Sequence, residues 1–183
     1  YVSLDSLKDF GDFEIKQQSK IRKLGAQNLT ESWTSIPHVT HFEEIDISII
    51  EEQRAELNKT SETKLTPLSY LVMKVVTALH EFPQFNASLV GEGQIMLRKY
   101  FNIGIAVDTK DGLLVPVITK ADKLSITEVA NEIIMLAEKA KNKKLLEKNL
   151  SGGTFSISSL GSMGGVGFTP IINPPEVAIL GVS

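Results

Sequence analysis

The 183-residue sequence lacks cysteine, is poor in aromatic residues and has no large excess of either charge. Without cysteine it can form neither a disulfide framework nor a thiolate metal site, and it offers no cysteine nucleophile. Nineteen basic and 22 acidic side chains give a formal net charge of -3, which removes the usual electrostatic reason to expect nucleic acid or a membrane surface as partner. No apolar run approaches the roughly 20 residues of a membrane span. An ordinary globular domain remains, long enough to bury a core.

Apolar periodicity and turn residues predict alternating helices and short strands. Helices are expected at residues 18–35, 48–58, 66–81 and 125–144, with Ser48 as the N-cap of the second. Strands are expected at residues 39–47, on both sides of Gly91–Gly93, at 103–107 and 113–118, and at 154–159 and 176–183. This mixture predicts an α/β or α+β two-layer domain.

The two ends of the sequence give two further expectations. Residues 1–14 lack a steady hydrophobic period and predict an extended N-terminal arm, followed by one domain over residues 15–183. Residues 176–183 resemble a buried strand at the very end of the chain. Because domains rarely stop within a strand, we expect the chain to be a fragment that lacks the C-terminal part of its domain.

A segment without charge stands out near the end of the sequence. No charged residue lies between Lys148 and Glu176, and six of the 13 glycines fall there. The glycine-rich stretch Gly161–Gly167 must be a loop, but it lacks the lysine of a phosphate-binding loop and has no G-x-G-x-x-G pattern. Such a loop either is buried at a subunit contact or lines a site.

Ser158 and Ser159 lie at the predicted strand end before this loop. Neither stands in a G-x-S-x-G elbow, so a serine nucleophile is not indicated. A fixed hydroxyl donor can instead stabilise a developing oxyanion at about 3 Å. The alternative is a strand-end serine that caps backbone groups.

The remaining polar candidates are three histidines and two basic residues. His38, His41 and His80 are not spaced to bind a metal together, so packed or surface roles are expected for them. Arg54 and Lys59 either bind phosphates or belong to a solvated helix face.

Several segments resemble the catalytic domain of the dihydrolipoamide acyltransferases, the core subunits of 2-oxoacid dehydrogenase complexes. The resemblance runs in order from about residue 15 onward. Its motifs are IPHVT (36–40), EFPQFNASL (81–89), IGIAVDT (103–109), DGLLVPV (111–117), FSISSLG (155–161), FTPIIN (168–173) and EVAILGVS (176–183). IPHVTHF, and SISSLG followed by INPPEVAILGVS, are most similar to the acetyl-transferring branch, that of the pyruvate dehydrogenase complex.

The resemblance implies a mixed β-sheet flanked by helices, similar to chloramphenicol acetyltransferase. It implies acetyl transfer between dihydrolipoamide and coenzyme A, without a metal, in homotrimers that assemble into a cubic or dodecahedral core. The partners would be the pyruvate dehydrogenase and dihydrolipoamide dehydrogenase subunits, bound through other domains, and the lipoyl group would be carried on another domain. The implied setting is the bacterial cytoplasm, or the mitochondrial matrix in a eukaryote.

The resemblance also implies roles for individual residues. Ser158 matches the oxyanion-stabilising serine, and Ser159 beside it is expected among the cofactor-binding residues. Arg54 matches an arginine similar to a coenzyme A phosphate ligand, with Lys59 as a weaker neighbour. Asp108 and Leu180 match positions that line or gate the substrate channel.

The family's catalytic histidine lies in an Asp-His motif beyond the EVAILGVS strand, which these 183 residues do not contain. We therefore expect this chain alone to be inactive. Two alternatives remain open: a structural oligomerisation module, and an acyltransferase of the succinyl or branched-chain branch.

Overall fold

The computed structural model describes Ser3 and residues 5–183, and within them leaves the side chains of Asp9 and Ser162 outside the description. Its helices are α1 (Lys20–Ser35), α2 (Ser48–Leu57), α3 (Pro67–Glu81) and α4 (Ile126–Lys141). Its strands are β1 (Ala87–Val90), β2 (Gln94–Leu97), β3 (Ile103–Ile105), β4 (Val107–Thr109), β5 (Gly112–Leu114), β6 (Val117–Ile118), β7 (Phe155–Ser159) and β8 (Ile179–Val182).

A four-stranded mixed sheet with the order β6-β3-β7-β8 forms the centre of the domain. β3 runs parallel to β7 and β7 runs parallel to β8, whereas β6 is antiparallel to β3. Two antiparallel hairpins, β1–β2 and β4–β5, lie outside this sheet. The expected mixed sheet with flanking helices is confirmed.

The hydrophobic core lies between this sheet and the helices α3 and α4. Val72, Val76 and Leu79 of α3 and Val129 and Leu136 of α4 pack in one cluster with Ile103, Ile105, Phe155 and Ile157 of the sheet. Because side chains alternate along a strand, the residues between these, such as Ser156, lie on the opposite face of the sheet. The first face builds the core, and the second carries the polar residues discussed below.

Most predicted elements are present with small shifts at their ends, but the strands predicted at 103–107 and 113–118 are each divided between the four-stranded sheet and the β4–β5 hairpin. Pro67 occupies the first turn of α3, and the side chain of Ser125 caps α4 in a capping box. The N-cap predicted for Ser48 is wrong. The Asp46 carboxylate accepts the Ser48 backbone N–H at 2.9 Å, so the stabilising group at the start of α2 stands two residues earlier.

Two other predictions differ from the structure. Residues 5–10 of the expected extended arm form a 3₁₀ helix, while Tyr1, Val2 and Leu4 lie outside the described residues. The strand predicted at residues 39–47 is wrong, since this segment is irregular and its side chains are exposed. Alternation of apolar residues cannot form a strand without a neighbouring edge to pair with, and no described strand pairs with this segment.

Gly104 of β3 lies where the sheet has no room for a side chain. A Cβ at this position would stand 2.6 Å from the Ser156 Oγ and 2.9 Å from a Val115 methyl carbon. Ser156 is buried and its hydroxyl is hydrogen-bonded, so it cannot simply rotate away. The glycine is therefore required by close packing.

We expect Gly104→Ala to lower the free energy of unfolding by about 1–3 kcal/mol, because the added methyl group overpacks the sheet. Gly25 in α1 is the matched control, since a Cβ there meets no atom within 4 Å. Gly25→Ala should raise the free energy of unfolding by about 0.5–1 kcal/mol through helix propensity. Urea titration of both variants measures the two changes, and equal effects of the two substitutions would contradict this packing account.

Candidate active site

Ser158 lies near the C-terminal end of β7, in the interior of the mixed sheet. In the parallel ladder it stands opposite Gly181, while its neighbour Ile157 stands opposite Leu180. The Ser158 side chain is half-buried, and it shares a face of the sheet with Ser156. The backbone that carries this hydroxyl is thus fixed by hydrogen-bonded strands.

The segment without charge packs on the same face, beside Ser158. A Cβ on Gly181 would come within 3.1 Å of Pro170 and 3.2 Å of Phe168, so the missing side chain lets these two rings approach β8. On the other side of β7, the Ala106 N–H donates to the Ile157 carbonyl at 3.0 Å. Ser158 therefore stands between two backbone segments, under an apolar cover.

Ser159 has a local structural role. Its hydroxyl accepts the Gly161 N–H at 3.1 Å and so shapes the turn that follows β7. Its side chain is exposed and, one residue from Ser158, points to the opposite face. The capping interpretation considered for this serine pair therefore describes Ser159.

His38 holds the charge-free segment in place. Its Nε2 accepts the Ile172 N–H at 3.0 Å, and its Nδ1 lies 2.8 Å from the Ile36 carbonyl oxygen. Because Nε2 must be unprotonated to accept, the proton belongs on Nδ1, where it donates to Ile36. Both nitrogens are committed, so His38 is not free to act as a base.

The other two histidines also occupy structural or surface positions. The His80 ring lies 4.0 Å from that of Phe101, a member of the core cluster. His41 is exposed, 3.7 Å from the Glu43 carboxylate. Among the described residues no group of three or more His, Cys, Asp or Glu side chains could hold a metal ion.

A buried polar network lies on the Ser158 face of the sheet. The Ser156 hydroxyl donates to Glu176 Oε1 at 3.0 Å, and both residues are almost fully buried. Buried Arg98 donates to the Ala87 carbonyl and to the Ser88 hydroxyl, which in turn donates to the Pro175 carbonyl. The network therefore joins β7, the β1–β2 hairpin and the segment leading into β8.

Burial raises the pKa of Glu176 from 4.5 to about 7, because the charged carboxylate loses its hydration. Hydrogen bonds from Ser156 and Asn173 and the positive charge of Arg98 oppose this shift but do not cancel it. Within the described residues, Glu176 Oε2 and Arg98 Nε are buried without a hydrogen-bond partner. Glu176 is thus a carboxyl group that titrates close to neutral pH inside the protein.

Arg54 and Lys59 both belong to local ion pairs. The Arg54 guanidinium donates two hydrogen bonds to the Glu51 carboxylate, at 2.6 and 2.9 Å, and a third to the Leu65 carbonyl. These bonds to Glu51 raise the pKa of Arg54 further and lower the pKa of Glu51. Exposed Lys59, just after α2, pairs with Glu56 at 2.5 Å. The two cations are thus each paired with a different glutamate of α2.

Asp108 and Leu180 line two different cavities. Asp108 lies with Lys141 at a cavity of about 280 Å³ between α3, α4 and the β3–β4 segment. Leu180 lines an apolar groove of about 460 Å³ formed with α3 and three phenylalanines. Leu180 is on the face of the sheet opposite to Ser158, as the register requires. Among the described residues, Asp108 and Leu180 thus line different cavities, and Ser158 lines neither.

The family follows from comparison with known proteins. The model of the 2-oxoacid dehydrogenases acyltransferase (catalytic domain) family matches residues 10–183. The chain belongs to this family.

Curated relatives agree with this assignment. The acetyltransferase component of the pyruvate dehydrogenase complex from Cupriavidus necator is 50% identical over 94% of this chain, and that from Pseudomonas aeruginosa is 48% identical over 95%. The chain spans about a third of the length of each. No helix among the described residues of this acyltransferase domain is long and apolar enough to cross a membrane.

Solved structures extend the match to the fold. One of them is a structure of Azotobacter vinelandii dihydrolipoamide acetyltransferase, solved to examine the roles of a serine, a histidine and an asparagine in its catalytic mechanism. It matches this chain with a TM-score of 0.95 and 45% identity. The cubic core of a pyruvate dehydrogenase multienzyme complex has a TM-score of 0.94, also at 45% identity. Both matches cover 99% of this chain and 76% of the other. The acyltransferase domain therefore has the chloramphenicol acetyltransferase-like fold.

Sequence reasoning missed the network of Ser156, Glu176 and Arg98. One signal was available, because Glu176 is the only charged residue after Lys148 and stands directly before an apolar strand. A lone carboxylate in such a run is rarely left in solvent, so its burial is a reasonable expectation. Its partners, 20 and 78 positions earlier in the chain, carry no such signal.

Proposed function

We propose that the whole protein to which this chain belongs transfers an acetyl group between dihydrolipoamide and coenzyme A, as the core subunit of a pyruvate dehydrogenase complex. The observation that carries the proposal is the position of Ser158, at the end of a central strand and beside the backbone of β8 and Ala106. The relatives named above carry this activity in their names.

In this mechanism a general base takes the proton from one thiol, and the thiolate sulfur attacks the thioester carbonyl carbon. The carbonyl oxygen becomes an oxyanion, which the Ser158 hydroxyl stabilises by donating a hydrogen bond. The intermediate then expels the second sulfur, which receives the proton. We infer that the base is none of the three histidines of this chain, because His38 uses both nitrogens, His80 packs on Phe101 and His41 is exposed in an irregular segment.

The test is acyl transfer by the complete gene product. Acetyl-coenzyme A and dihydrolipoamide should yield S-acetyldihydrolipoamide and free coenzyme A, quantified by chromatography. Succinyl- and isobutyryl-coenzyme A should react more slowly than the acetyl thioester. Faster transfer of either would place the protein in another branch, and no transfer of any acyl group by the folded protein would overturn the proposal.

Arg54 is the proposed contact to a coenzyme A phosphate. Its guanidinium is pre-oriented by Glu51 and the Leu65 carbonyl, and it keeps partial exposure. Arg54→Gln should raise KM for coenzyme A by about 10-fold with little change in kcat, since a charge-assisted bond to phosphate contributes about 1.5–3 kcal/mol. Lys59→Gln, at the exposed neighbour, is the control and should change KM far less. An unchanged KM in Arg54→Gln would return the residue to a local structural role.

Self-association, as a trimer within a larger core, is proposed from the exposed apolar face of the β1–β2 hairpin. Leu89, Ile95 and Leu97 share this face and are 74%, 61% and 44% exposed, respectively. Such a face is typical of a surface that a partner covers. The cubic core of a solved neighbour supports a second copy of this chain as the partner.

Ile95→Glu should weaken the assembly at least about tenfold, because it places a charge in an apolar contact. Gln94→Glu, on the opposite face of the hairpin, is the control and should leave the assembly intact. Native mass spectrometry of both variants measures the result, and a wild-type mass for Ile95→Glu would contradict this surface.

Because the relatives are bacterial, we propose the bacterial cytoplasm rather than the mitochondrial matrix as the setting.

A further inference from the structure

The carboxyl group of Glu176 lies in a narrow space bounded by the backbone of neighbouring segments. It accepts the Ser156 hydroxyl at 3.0 Å, and a Cβ on Gly153 would stand only 2.9 Å from its Oε1. On the far side of Ser156, a Cβ on Gly104 would stand 2.6 Å from the Ser156 hydroxyl. Two glycines therefore leave the space that this pair occupies.

This pair lies directly beneath Ser158 along the strand. Ser156 and Ser158 are two positions apart on β7 and share a face, and they stand opposite Ile179 and Gly181 of β8. Glu176 lies three residues before β8 begins, and its N–H donates to the Asn173 carbonyl at 3.0 Å. The hydrogen bond between Glu176 and Ser156 therefore holds the segment that leads into β8 against β7. This contact lies two residues before Ser158 on β7.

Arg98 links the segment next to Glu176 to the β1–β2 hairpin. Among the described residues, it forms no hydrogen bond with Glu176 itself. Its two terminal nitrogens donate to the Ala87 carbonyl and the Ser88 hydroxyl, and the Ser88 hydroxyl donates to the Pro175 carbonyl, next to Glu176. The groups facing the Glu176 carboxyl are thus Ser156 of β7, Asn173 of its own segment and the charge of Arg98. Because Glu176 Oε2 has no hydrogen-bond partner among the described residues, burial favours the neutral form of this carboxyl group.

We propose that Glu176 is a positioning residue for Ser158: its hydrogen bond with Ser156 holds β8 against β7 and so fixes the proposed oxyanion donor. The inference rests on the proposed acyl transfer. If Glu176 were ionised, its carboxylate would need water or a new hydrogen-bond partner in this narrow space. Admitting either would loosen the β7–β8 pairing beside Ser158. The Ser158 hydroxyl itself would remain present but less well fixed.

The experiment uses the complete enzyme with Glu176→Gln, Glu176→Ala and Ser158→Ala, and Glu92→Gln at an exposed turn as the matched control. Glu176→Gln has the shape of the neutral carboxyl, so its kcat should lie within about twofold of wild type near pH 6. The ratio of its kcat to that of wild type should rise at least about threefold by pH 8, where wild-type Glu176 is ionised. The Glu92→Gln ratio should stay constant.

Glu176→Ala should lose about 10- to 100-fold in kcat with KM for coenzyme A nearly unchanged, because the donor is misplaced and the binding residues are untouched. A ratio for Glu176→Gln that does not change with pH would overturn the proposal, and so would a folded Glu176→Ala enzyme with wild-type kcat. If Glu176→Ala does not fold, the pH dependence of Glu176→Gln decides. A Ser158→Ala enzyme with wild-type kcat would instead reject the proposed function itself, so the two failures are distinguishable.

Discussion

Glu176→Gln should be more stable than wild type at pH 8 by about 3 kcal/mol and equally stable near pH 4. The carboxyl has a pKa of about 7 in the folded protein, raised by burial from 4.5. A raised pKa means that the folded state binds the proton more tightly than the unfolded state does. The contribution of Glu176 to the free energy of unfolding of the wild type is therefore fully present below about pH 4.5. It is lost as pH rises through about 7. Glutamine has no charge to bury, so the variant avoids the loss.

Urea unfolding at several pH values measures this prediction, and the quantity of interest is the difference between the variant and wild type. That difference removes the contribution of other titrating groups. Glu92→Gln is the control, because Glu92 lies exposed in the turn between β1 and β2. A difference for Glu176→Gln that stays flat between about pH 4.5 and pH 7 would mean that Glu176 is ionised in the folded protein, and would remove the basis for its positioning role.

Local sequence signals predicted the helices of this domain well. Apolar periodicity located α1, α3 and α4 to within about three residues at each end, and Pro67 and Ser125 marked two of the starts. The hairpin turns at Gly91–Gly93 and Lys110–Gly112 were equally readable, since tight turns need residues that tolerate a positive φ. These features depend on neighbours in the chain, and therefore a single sequence can reveal them.

The two wrong predictions of secondary structure have different physical causes. Residues 39–47 alternate like a strand but meet no sheet edge among the described strands, so their pattern has nothing to pair with. Ser48 has the right chemistry for an N-cap, yet it is the first residue of α2, and the Asp46 carboxylate accepts its backbone N–H. The first outcome depends on distant parts of the chain, whereas the second depends on which of several neighbouring residues begins the helix.

The candidate site divides in the same way. Ser158 and Arg54 are proposed as site residues through resemblance to a family, because composition and spacing alone left a purely structural role open for both. The register then showed that Leu180 lies on the other face of the sheet from Ser158, which sequence alone could not reveal. The hydrogen bond between Glu176 and Ser156 depends on the space left by Gly104 and Gly153, and that space exists only in the folded sheet.

Ser158→Ala in the complete enzyme should reduce kcat for acetyl transfer by about 10²- to 10³-fold, which corresponds to the loss of one oxyanion donor. KM for coenzyme A should change little, because the hydroxyl acts in the transition state and contributes little to ground-state binding. Folding should be nearly unaffected, since the side chain is small and only half-buried at the end of β7. Alanine removes only the hydroxyl oxygen and leaves the strand intact.

Ser159→Ala is the matched control, one residue away on the opposite face of the same strand. Its hydroxyl accepts the Gly161 N–H, so its loss should affect the turn and change kcat by no more than about threefold. The ratio of kcat between these two variants is the most direct measure of the account. We predict that Ser158→Ala is slower than Ser159→Ala by about 100-fold or more. Equal rates in two folded enzymes would contradict the assignment of Ser158 as the oxyanion donor.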